Sequence, residues 1–460
     1  MLNRERAQDI FDKLKKYSTA DDLEMLIGGG KNTLTRFANN TITQNVAEIN
    51  YEISVRSVFG GRTARATTNK FDDESLIRVV QASEALARVQ EEDPDLPAMC
   101  TPQEAGLDGG APSRHFDETA KLSPQQRAEV VGRMVDVAVR AKLTAAGVCA
   151  DGEHLSALFN SRGVARFYKQ THSELSITML AGNSSGWQKA NSPQFSRLDP
   201  MMLAETAAKK ASDSADPKEV PAGKYTVILE PAAVLDLVGF MFWDFGGLAL
   251  LDQRSFLNNR IGKKVFGENI TVYDDVYHPL QTGADWDGEG VRRERIELIR
   301  DGVVKRVVHA RGTARRIGLS EFKEQVGEVR PTGHGFPLPN DLGEMPMNIV
   351  FEVSGETKSV EQMVADTERG ILVTRLWYIR EVEPYEKLLT GMTRDGTFLV
   401  ENGKVTAGIL NFRFNESLLH MLSNVEAMGP AVRASGEESF DMVVPAMKIK
   451  DFNFTEVTKL

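Results

Sequence analysis

Two aspartates interrupt the least polar run of the chain and are the first candidates for chemistry. Asp236 and Asp244 are the only charged side chains in residues 231–251, which read PAAVLDLVGFMFWDFGGLALL. On a helix over residues 232–245, Phe240 and Trp243 share a face with both aspartates, because the spacings are three and four residues. Such a face could form one wall of a groove, with aromatic platforms and carboxylates. It also fits a core helix whose aspartates point to a polar seam, and periodicity alone favours this simpler interpretation.

The surroundings of this run predict a buried helix and not a membrane span. At the centre of a bilayer each aspartate would cost about 2.5–3.5 kcal/mol. Gly239, Gly246 and Gly247 weaken a helix further. Pro231 is tolerated in a first helical turn, and Gly246 fits a helix stop. We therefore expect a buried helix over residues 232–245 and no membrane partner.

Other residues of chemical interest do not combine into a site. The seven histidines are isolated, with no two within ten residues of each other. His334, in the loop PTGHGF, has no identifiable partner, and such a histidine is usually structural. Asp274, Asp275 and the loop DWDGEG (285–290) are acidic enough to suggest Ca²⁺ or Mg²⁺, but the EF-hand spacing is absent. The sequence therefore predicts no metal ligands in this chain.

Composition indicates the class of protein and its compartment. A chain of 460 residues is too long for one ordinary core, so two or three domains are expected. Its net charge of −10 makes nucleic acid a poor partner, because phosphate binding needs a basic surface. Two cysteines allow no disulfide framework, and the N-terminus lacks an apolar signal segment. These features predict a cytoplasmic protein.

Local signals predict an α+β fold, because strands and helices do not alternate strictly. Helices are expected at residues 4–17, 73–90 and 199–213. Another is expected to begin at the capping box formed by Ser123 and Gln126, and a further one to run from Ser359 to a stop at Gly370. Hairpins are expected to turn at Asp301-Gly302 and Asn402-Gly403. Loop-like stretches at 92–122 and 212–224 suggest boundaries. We expect an N-terminal α/β-type domain with helices on a sheet at 1–110, a central α+β domain at 111–220, and a larger strand-rich domain at 221–460.

Four sequence segments together resemble one family. They are GGRTARATTNKFDDESL (60–76), RIGKKVFGENITVYDD (260–275), DWDGEGVRRERIELIRDGVVKRVVHARGTARRIG (285–318) and LVENGKV (399–405). In this order they are similar to the PmbA/TldD family, once called modulators of DNA gyrase. Any one of the segments alone would be a weak signal. The resemblance extends over most of the chain and is strongest between about 225 and 410.

The resemblance implies a peptidase built from two related subunits, TldD and TldE (PmbA), which cleaves unfolded peptides and trims modified peptide precursors. In the family, TldD carries His-Glu-x-x-x-His on a helix and a later cysteine as zinc ligands. The zinc activates water and the glutamate removes its proton. In this chain the corresponding segment, near residues 239–244, reads GFMFWD and contains no histidine. Both cysteines, Cys100 and Cys149, lie in the first third of the chain. The sequence therefore resembles the TldE/PmbA subunit, which lacks the metal motif.

We therefore expect a noncatalytic TldE/PmbA-like subunit with no cofactor of its own, whose TldD-like partner supplies the zinc. Asp236, Phe240, Trp243 and Asp244 are the candidate residues for a peptide or partner groove, and an extended peptide could bind by strand addition. The alternative is a stand-alone homodimer that binds peptides without cleaving them. An enzyme that uses an unrecognised site without zinc is a third possibility.

Overall fold

The computed structural model describes residues 2–107 and 109–458. The N-terminal half contains six helices and six strands. The helices are α1 (Arg4–Tyr17), α2 (Asp73–Val89), α3 (Pro102–Ala105), α4 (Asp117–Ala120), α5 (Pro124–Arg140) and α6 (Pro200–Asp213), with a 3₁₀ turn at Phe195–Arg197. The strands are β1 (Asp22–Ala38), β2 (Thr41–Phe59), β3 (Arg62–Thr68), β4 (Thr144–Asn160), β5 (Ala165–Ala181) and β6 (Ser184–Ser192).

The long helices of this half begin where their caps predicted. Ser123 accepts the N–H of Gln126, and the Gln126 side chain accepts the N–H of Ser123, which completes the predicted capping box of α5. Asp72 and Asp199 likewise accept first-turn N–H groups of α2 and α6. The bounds of α1 agree with the prediction for residues 4–17. These starts were predictable because each cap involves residues only two or three positions apart.

One antiparallel sheet organises the N-terminal half, in the strand order β3-β2-β1-β4-β5-β6. Its two central strands, β1 and β4, pair with each other, so strands from both sides of the expected boundary at residue 110 belong to one sheet. Met25 and Ile27 of β1 pack with α1 and α2, whereas Phe37 packs with α5 and α6. These strand positions are all odd, so both helix pairs cover the same face of the sheet. At one end, the opposite face of the sheet contacts the C-terminal half through Leu158 and Trp286.

The C-terminal half contains six further helices and thirteen strands. The helices are α7 (Pro231–Val238), α8 (Gly247–Leu251), α9 (Arg311–Gly318), α10 (Lys323–Val326), α11 (Val360–Ala365) and α12 (Leu418–Ser423), with a 3₁₀ helix at Gly239–Phe245. The strands are β7 (Gly223–Leu229), β8 (Val272–Asp274), β9 (Ile296–Arg300), β10 (Val303–Val304), β11 (Ile349–Phe351), β12 (Arg369–Glu383), β13 (Leu388–Glu401), β14 (Lys404–Gly408), β15 (Phe412–Ser417), β16 (Val425–Met428), β17 (Val432–Ala434), β18 (Met442–Val444) and β19 (Met447–Val457).

Five of these strands close into a barrel. β12 pairs with β7, β7 with β19, β19 with β15, β15 with β13, and β13 returns to β12. Closure leaves these five strands without free edges, and β14 and β16 extend the barrel on β13 and β19. Phe412 and Phe454 stack at 4.6 Å between ring centroids within the shared hydrophobic core. Strand β12 is buried on both faces from Gly370 to Leu376, which shows that the barrel wall is covered on its outer side as well.

A second, six-stranded sheet packs beside the barrel in the order β10-β9-β8-β11-β18-β17. The predicted turns at Asp301-Gly302 and Asn402-Gly403 connect β9 to β10 and β13 to β14, and both are confirmed. The capping box at Ser359 is confirmed too, but the predicted stop at Gly370 is wrong. Helix α11 ends at Ala365, and Gly370 pairs with Thr226 inside the barrel. The α+β class is confirmed.

The apolar run at residues 231–251 has no membrane-spanning geometry. Across residues 2–107 and 109–458, no helix is long and apolar enough to cross a membrane. The run is instead divided between α7, the 3₁₀ helix and α8, and most of its side chains lie in the largest hydrophobic core. Its apolar character is therefore explained by burial inside the C-terminal half.

Candidate functional site

The segment that carries the candidate residues is not one helix, so the prediction of a single helix over residues 232–245 is wrong. Helix α7 stops at Val238, and a 3₁₀ helix continues from Gly239 to Phe245. Gly239 lies against Ser439, where an added Cβ would come within 1.8 Å of the hydroxyl oxygen. The change from 3.6 to 3.0 residues per turn rotates the later side chains. The four candidate residues therefore do not share one face.

Asp236 lies inside the protein and outside the groove. Its side chain is fully buried, and Oδ1 accepts the backbone N–H groups of Glu437 and Glu438 at 3.1 and 2.9 Å. Burial raises the pKa of Asp236 to about 7, although these two hydrogen bonds favour the charged form. Gly436 approaches so closely that an added Cβ would lie 2.1 Å from Oδ1. Asp236 therefore holds the loop before β18 in place, and the prediction that it shares a face with Trp243 is wrong.

Asp244 forms a buried ion pair with Lys387, a residue that the sequence analysis did not identify. The ammonium of Lys387 contacts Oδ2 of Asp244, and the two residues are only 3% and 5% exposed. Oδ1 of Asp244 accepts the N–H of Phe256 at 3.0 Å, and Lys387 also donates to Glu381 at 2.7 Å. Burial raises the pKa of Asp244 even though Lys387 opposes the shift. No local spacing reveals this pair, since its members lie far apart in the chain.

Trp243, Phe240 and the Asp244–Lys387 pair line a groove of about 460 Å³. Trp243 is 49% exposed, which is unusual for so large an apolar ring, whereas Phe240 is half-buried against the core. The remaining groove wall comes from α8 and the residues just after it, the end of β12 with the turn before β13, and the loop before β18. Three of the four candidate residues thus meet at one groove, with an apolar wall and a charged floor.

A second groove of about 470 Å³ adjoins the first. Phe440 lines both grooves, and Trp243 stacks on Phe336 of the second at 6.1 Å between ring centroids. Arg293 and His334 add polar groups to its wall. The two grooves therefore meet at an aromatic cluster of Trp243, Phe336 and Phe440. Together they could accommodate an extended chain with alternating apolar and polar contacts.

His334 has the partner that the sequence could not identify. Its Nε2 lies 2.9 Å from Oδ1 of Asp274, and Nδ1 lies 3.0 Å from the hydroxyl of Thr332. Burial favours the neutral acid, but the charge and hydrogen bond of His334 hold the pKa of Asp274 below its usual range. Met347 and Asn348 donate their backbone N–H groups to the other oxygen. Every acceptor and donor of this pair is used, so the geometry supports a structural role.

In the acidic loop DWDGEG, the central carboxylate, that of Asp287, binds backbone N–H groups of the loop and of its neighbours. Asp287 accepts N–H groups from Glu289, Val291 and Gly335 at 2.8–2.9 Å. Burial raises the pKa of Asp287 and raises that of Glu289 to about 8. Asp287 and Glu289 are poor ligands for a cation, because burial favours their protonated forms and both oxygens of Asp287 already accept backbone N–H groups.

The residues of this chain do not fit the zinc that the family resemblance implies. Over the described part of the chain, no cluster of three or more His, Cys, Asp or Glu side chains could hold a metal ion. Burial raises the pKa values of Cys100 and Cys149 to about 12, so neither thiol readily forms the thiolate that zinc binds. The Lys387 ammonium lies where a cation beside Asp244 would have to bind, and like charges repel. No set of residues in the described part of the chain is therefore suited to hold zinc.

Comparison with known proteins covers nearly the whole chain. Residues 222–456 match the sequence model of the PmbA/TldA metallopeptidase C-terminal domain, residues 24–87 that of domain 1, and residues 117–215 that of the central domain. The metalloprotease PmbA of Escherichia coli O157:H7 is 23% identical over 402 residues, which cover 84% of this chain and 83% of that protein. A PmbA homolog of Haemophilus influenzae is 21% identical over 411 residues, with 86% and 85% covered.

The fold is also found in a solved structure, TldE from Thermococcus kodakarensis. The TM-score is 0.85 at 19% sequence identity, and the match covers 98% of this chain and 100% of that one. Identity at this level shows a common fold and no more. The three domain matches, the relatives and the shared fold agree with one another.

Proposed function

The chain belongs to the PmbA/TldD metallopeptidase family, and we propose that it is the noncatalytic, TldE/PmbA-like subunit of a zinc-dependent peptidase. A TldD-like subunit would supply the zinc, its ligands and the general base. This chain would supply structural support and part of the groove for an unfolded or modified peptide.

The observation that carries the proposal is the buried Asp244–Lys387 ion pair at the floor of the groove. The segment from Gly239 to Asp244, where related chains are expected to carry the metal motif, contains no histidine. The one carboxylate there is already neutralised by an ammonium that is 3% exposed. A divalent cation would have to displace this ammonium and find ligands that the chain lacks. The site is therefore suited to binding and not to activation of water.

The two adjoining grooves support a role in peptide binding. Trp243 presents a half-exposed ring, and its stack on Phe336 forms an apolar surface between two polar floors. Unfolded peptides offer apolar side chains beside polar backbone groups, which match such a surface. We propose that Trp243 and Phe240 contact the peptide or the partner subunit, and that the buried Asp244–Lys387 pair forms the floor beneath them. Asp236 would act indirectly by holding the loop after Ala434.

The proposed complex acts in the cytoplasm. Cys100 and Cys149 are both buried and free, which suits a reducing compartment. The acidic net charge of −10 makes nucleic acid an unsuitable substrate.

A peptidase assay tests directly whether the TldD-like partner, and not this chain, supplies the catalytic zinc. The chain alone, its TldD-like paralogue alone and their equimolar mixture are assayed on an unfolded peptide, with zinc content measured in parallel. We expect little zinc and no hydrolysis for the chain alone, and the highest activity for the mixture. Stoichiometric zinc together with full activity in the isolated chain would refute the proposal. Hydrolysis by the isolated chain that survives a chelator would point to a site without zinc.

A second candidate function is a homodimer that captures peptides without cleaving them. The observation that favours it is the outer edge of β2 from Thr41 to Glu52, which has no partner strand among the described residues and can pair with another strand. A stable homodimer that binds peptides, and whose mixture with the paralogue hydrolyses nothing, would select this function over the first.

A further inference from the structure

One cation in the wall of the second groove has no partner. Arg293 lines this groove, and its Nη1 is buried without a hydrogen-bond acceptor. Among the described residues, its guanidinium takes part in no ion pair and no hydrogen bond. A guanidinium carries several N–H donors, and a buried donor without an acceptor costs free energy. Arg293 is therefore suited to bind an acceptor that comes from outside this chain.

The other charged side chains of the second groove already have partners. Arg433 donates to Asp441 at 3.0 Å, and His334 lies 2.9 Å from a carboxylate oxygen of Asp274. Asp287 accepts backbone N–H groups on both of its oxygens. Within residues 2–107 and 109–458, the unpaired guanidinium is therefore the one charged group of this groove whose hydrogen-bonding capacity is unused.

The positive charge of Arg293 lies on the side of the second groove. Arg293 stands in a wall between this groove and another of about 690 Å³. Burial works to raise the pKa values of Asp274 and Asp287, and the charge of Arg293 is among the groups that oppose it. Asp287 lines the second groove, and Asp274 binds His334, which lines it too. Neither aspartate borders the other groove.

Aromatic rings line the same groove as this charge. They belong to Trp286, which is only 8% exposed, and to Phe336 and Phe440. Apolar walls exclude water, and a hydrogen bond between charged groups is stronger where the effective dielectric constant is low. A ligand that combines an anionic group with apolar side chains therefore fits this groove.

We propose that Arg293 binds a carboxylate of the peptide, either the C-terminal one or that of an Asp or Glu side chain. The planar guanidinium matches a carboxylate and can hold both of its oxygens with two parallel hydrogen bonds. The peptide passes from the first groove over the cluster of Trp243, Phe336 and Phe440 and places its carboxylate in the second groove. This inference rests on the proposed role in peptide binding and gives it a substrate class: peptides with a carboxylate next to an apolar segment.

A purely structural role for Arg293, as the counter-charge of Asp274 and Asp287, has different consequences. Each oxygen of these two carboxyls already has another hydrogen-bond partner, so neither aspartate occupies the donors of Arg293. In such a role, loss of Arg293 would lower stability and leave the choice among peptides unchanged. A preference for peptides with a carboxylate therefore separates the two roles.

Fluorescence anisotropy with four labelled peptides of leucine, glycine and serine measures this preference. One peptide has a free C-terminal carboxylate and its counterpart a C-terminal amide. The other two are amides with glutamate or glutamine at the next-to-last position. The chain is expected to bind the free acid, or the glutamate peptide, roughly tenfold or more tightly than its neutral counterpart, because hydrogen bonds to charged groups are the stronger ones. The peptide that is preferred identifies which carboxylate Arg293 binds.

Variants of Arg293 assign the preference to this residue. Arg293→Gln should abolish the preference, and Arg293→Lys should retain only part of it, because an ammonium keeps the charge but lacks the planar fork. The matched control is Arg295→Gln, which removes a charge two residues away that borders only the other groove, and it should leave the preference unchanged. Thermal unfolding shows which variants are folded. If Arg293→Gln does not fold, Arg293→Lys decides the question.

Several results would overturn the inference. They are equal affinities for all four peptides, a folded variant of Arg293 that keeps the full preference, and a loss of preference in Arg295→Gln as large as that in Arg293→Gln. Failure of every peptide to bind, both to the chain alone and to a chelator-treated mixture with the TldD-like paralogue, would overturn it too. Equal affinities would leave the assignment of zinc to the partner intact. Stoichiometric zinc with full peptidase activity in the isolated chain would refute that assignment and leave the preference for a carboxylate measurable.

Discussion

Replacement of Lys387 by methionine is expected to destabilise the C-terminal half strongly. Methionine keeps the unbranched stem and its packing, so the main loss is the positive charge beside Asp244. Removal of one partner from a buried ion pair typically costs about 3–5 kcal/mol, because the other charge is left uncompensated. The second contact of Lys387, with Glu381, adds little, since Glu381 is partly solvated.

The cost of Lys387→Met is expected to depend on pH. Burial already raises the pKa of Asp244, and loss of the ammonium removes the group that opposes this shift. In the variant, Asp244 can escape the penalty by taking up a proton as the pH falls. The variant should therefore be closer to wild type in stability at pH 5 than at pH 8.

A double variant separates the ion pair from the packing. Asp244→Asn removes the negative charge and keeps the oxygen that accepts the N–H of Phe256. Lys387→Met/Asp244→Asn should thus recover most of the loss and cost about 1–2 kcal/mol relative to wild type. The assay is urea unfolding followed by tryptophan fluorescence at both pH values. A single variant that loses less than about 1 kcal/mol at pH 8, or a double variant as unstable as the single one, would refute the reasoning.

Three further changes have expected outcomes. Asp236→Asn should flatten the pH dependence of the free energy of unfolding. The carboxyl loses its proton near pH 3.8 in the unfolded chain and near pH 7 in the folded one. Between these values the wild type therefore loses roughly 4 kcal/mol of stability relative to the variant as the pH rises. Equal slopes of unfolding temperature from pH 4 to 8 would contradict this. Trp243→Ala should lower peptide turnover by the mixed complex while the isolated chain stays folded, because the ring is half-exposed. The control, Trp377→Ala, lies on a different cavity and should leave turnover unchanged. Global unfolding of Trp243→Ala would show instead that Trp243 is a core residue. Ser123→Ala should cost about 1 kcal/mol through loss of the cap of α5, and Ser123→Asp, which retains a capping oxygen, should cost less in the same thermal unfolding assay.

The candidate site was only partly predictable. Trp243 and Asp244 were identified because a carboxylate interrupts an apolar run and helical spacing places aromatic rings on the same face. Lys387 and Phe336 were not, because their contacts with these residues join distant segments and no local pattern records such a contact. The helix over residues 232–245 was a reasonable prediction from spacing. In the structure α7 ends at Val238 and a 3₁₀ helix continues from Gly239, a change that residue spacing does not record.

In the fold, too, local features were predictable from the sequence, whereas contacts between distant segments were not. Caps and tight turns were predictable at Ser123, Ser359, Asp301-Gly302 and Asn402-Gly403, because each depends on residues within a few positions. The stop at Gly370 was wrong because a pairing with β7, more than a hundred residues earlier, draws that glycine into the barrel.

By itself, the sequence determined the α+β class, the main helix starts, the family resemblance and the absence of histidine from the expected metal segment. These are properties of composition and of short-range order, which the chain carries before it folds. Only the tertiary structure decided that β1 joins β4 in one sheet, that five strands close into a barrel, and that Lys387 neutralises Asp244. Such pairings depend on packing and desolvation between remote segments, and these free energies exist only once the segments meet.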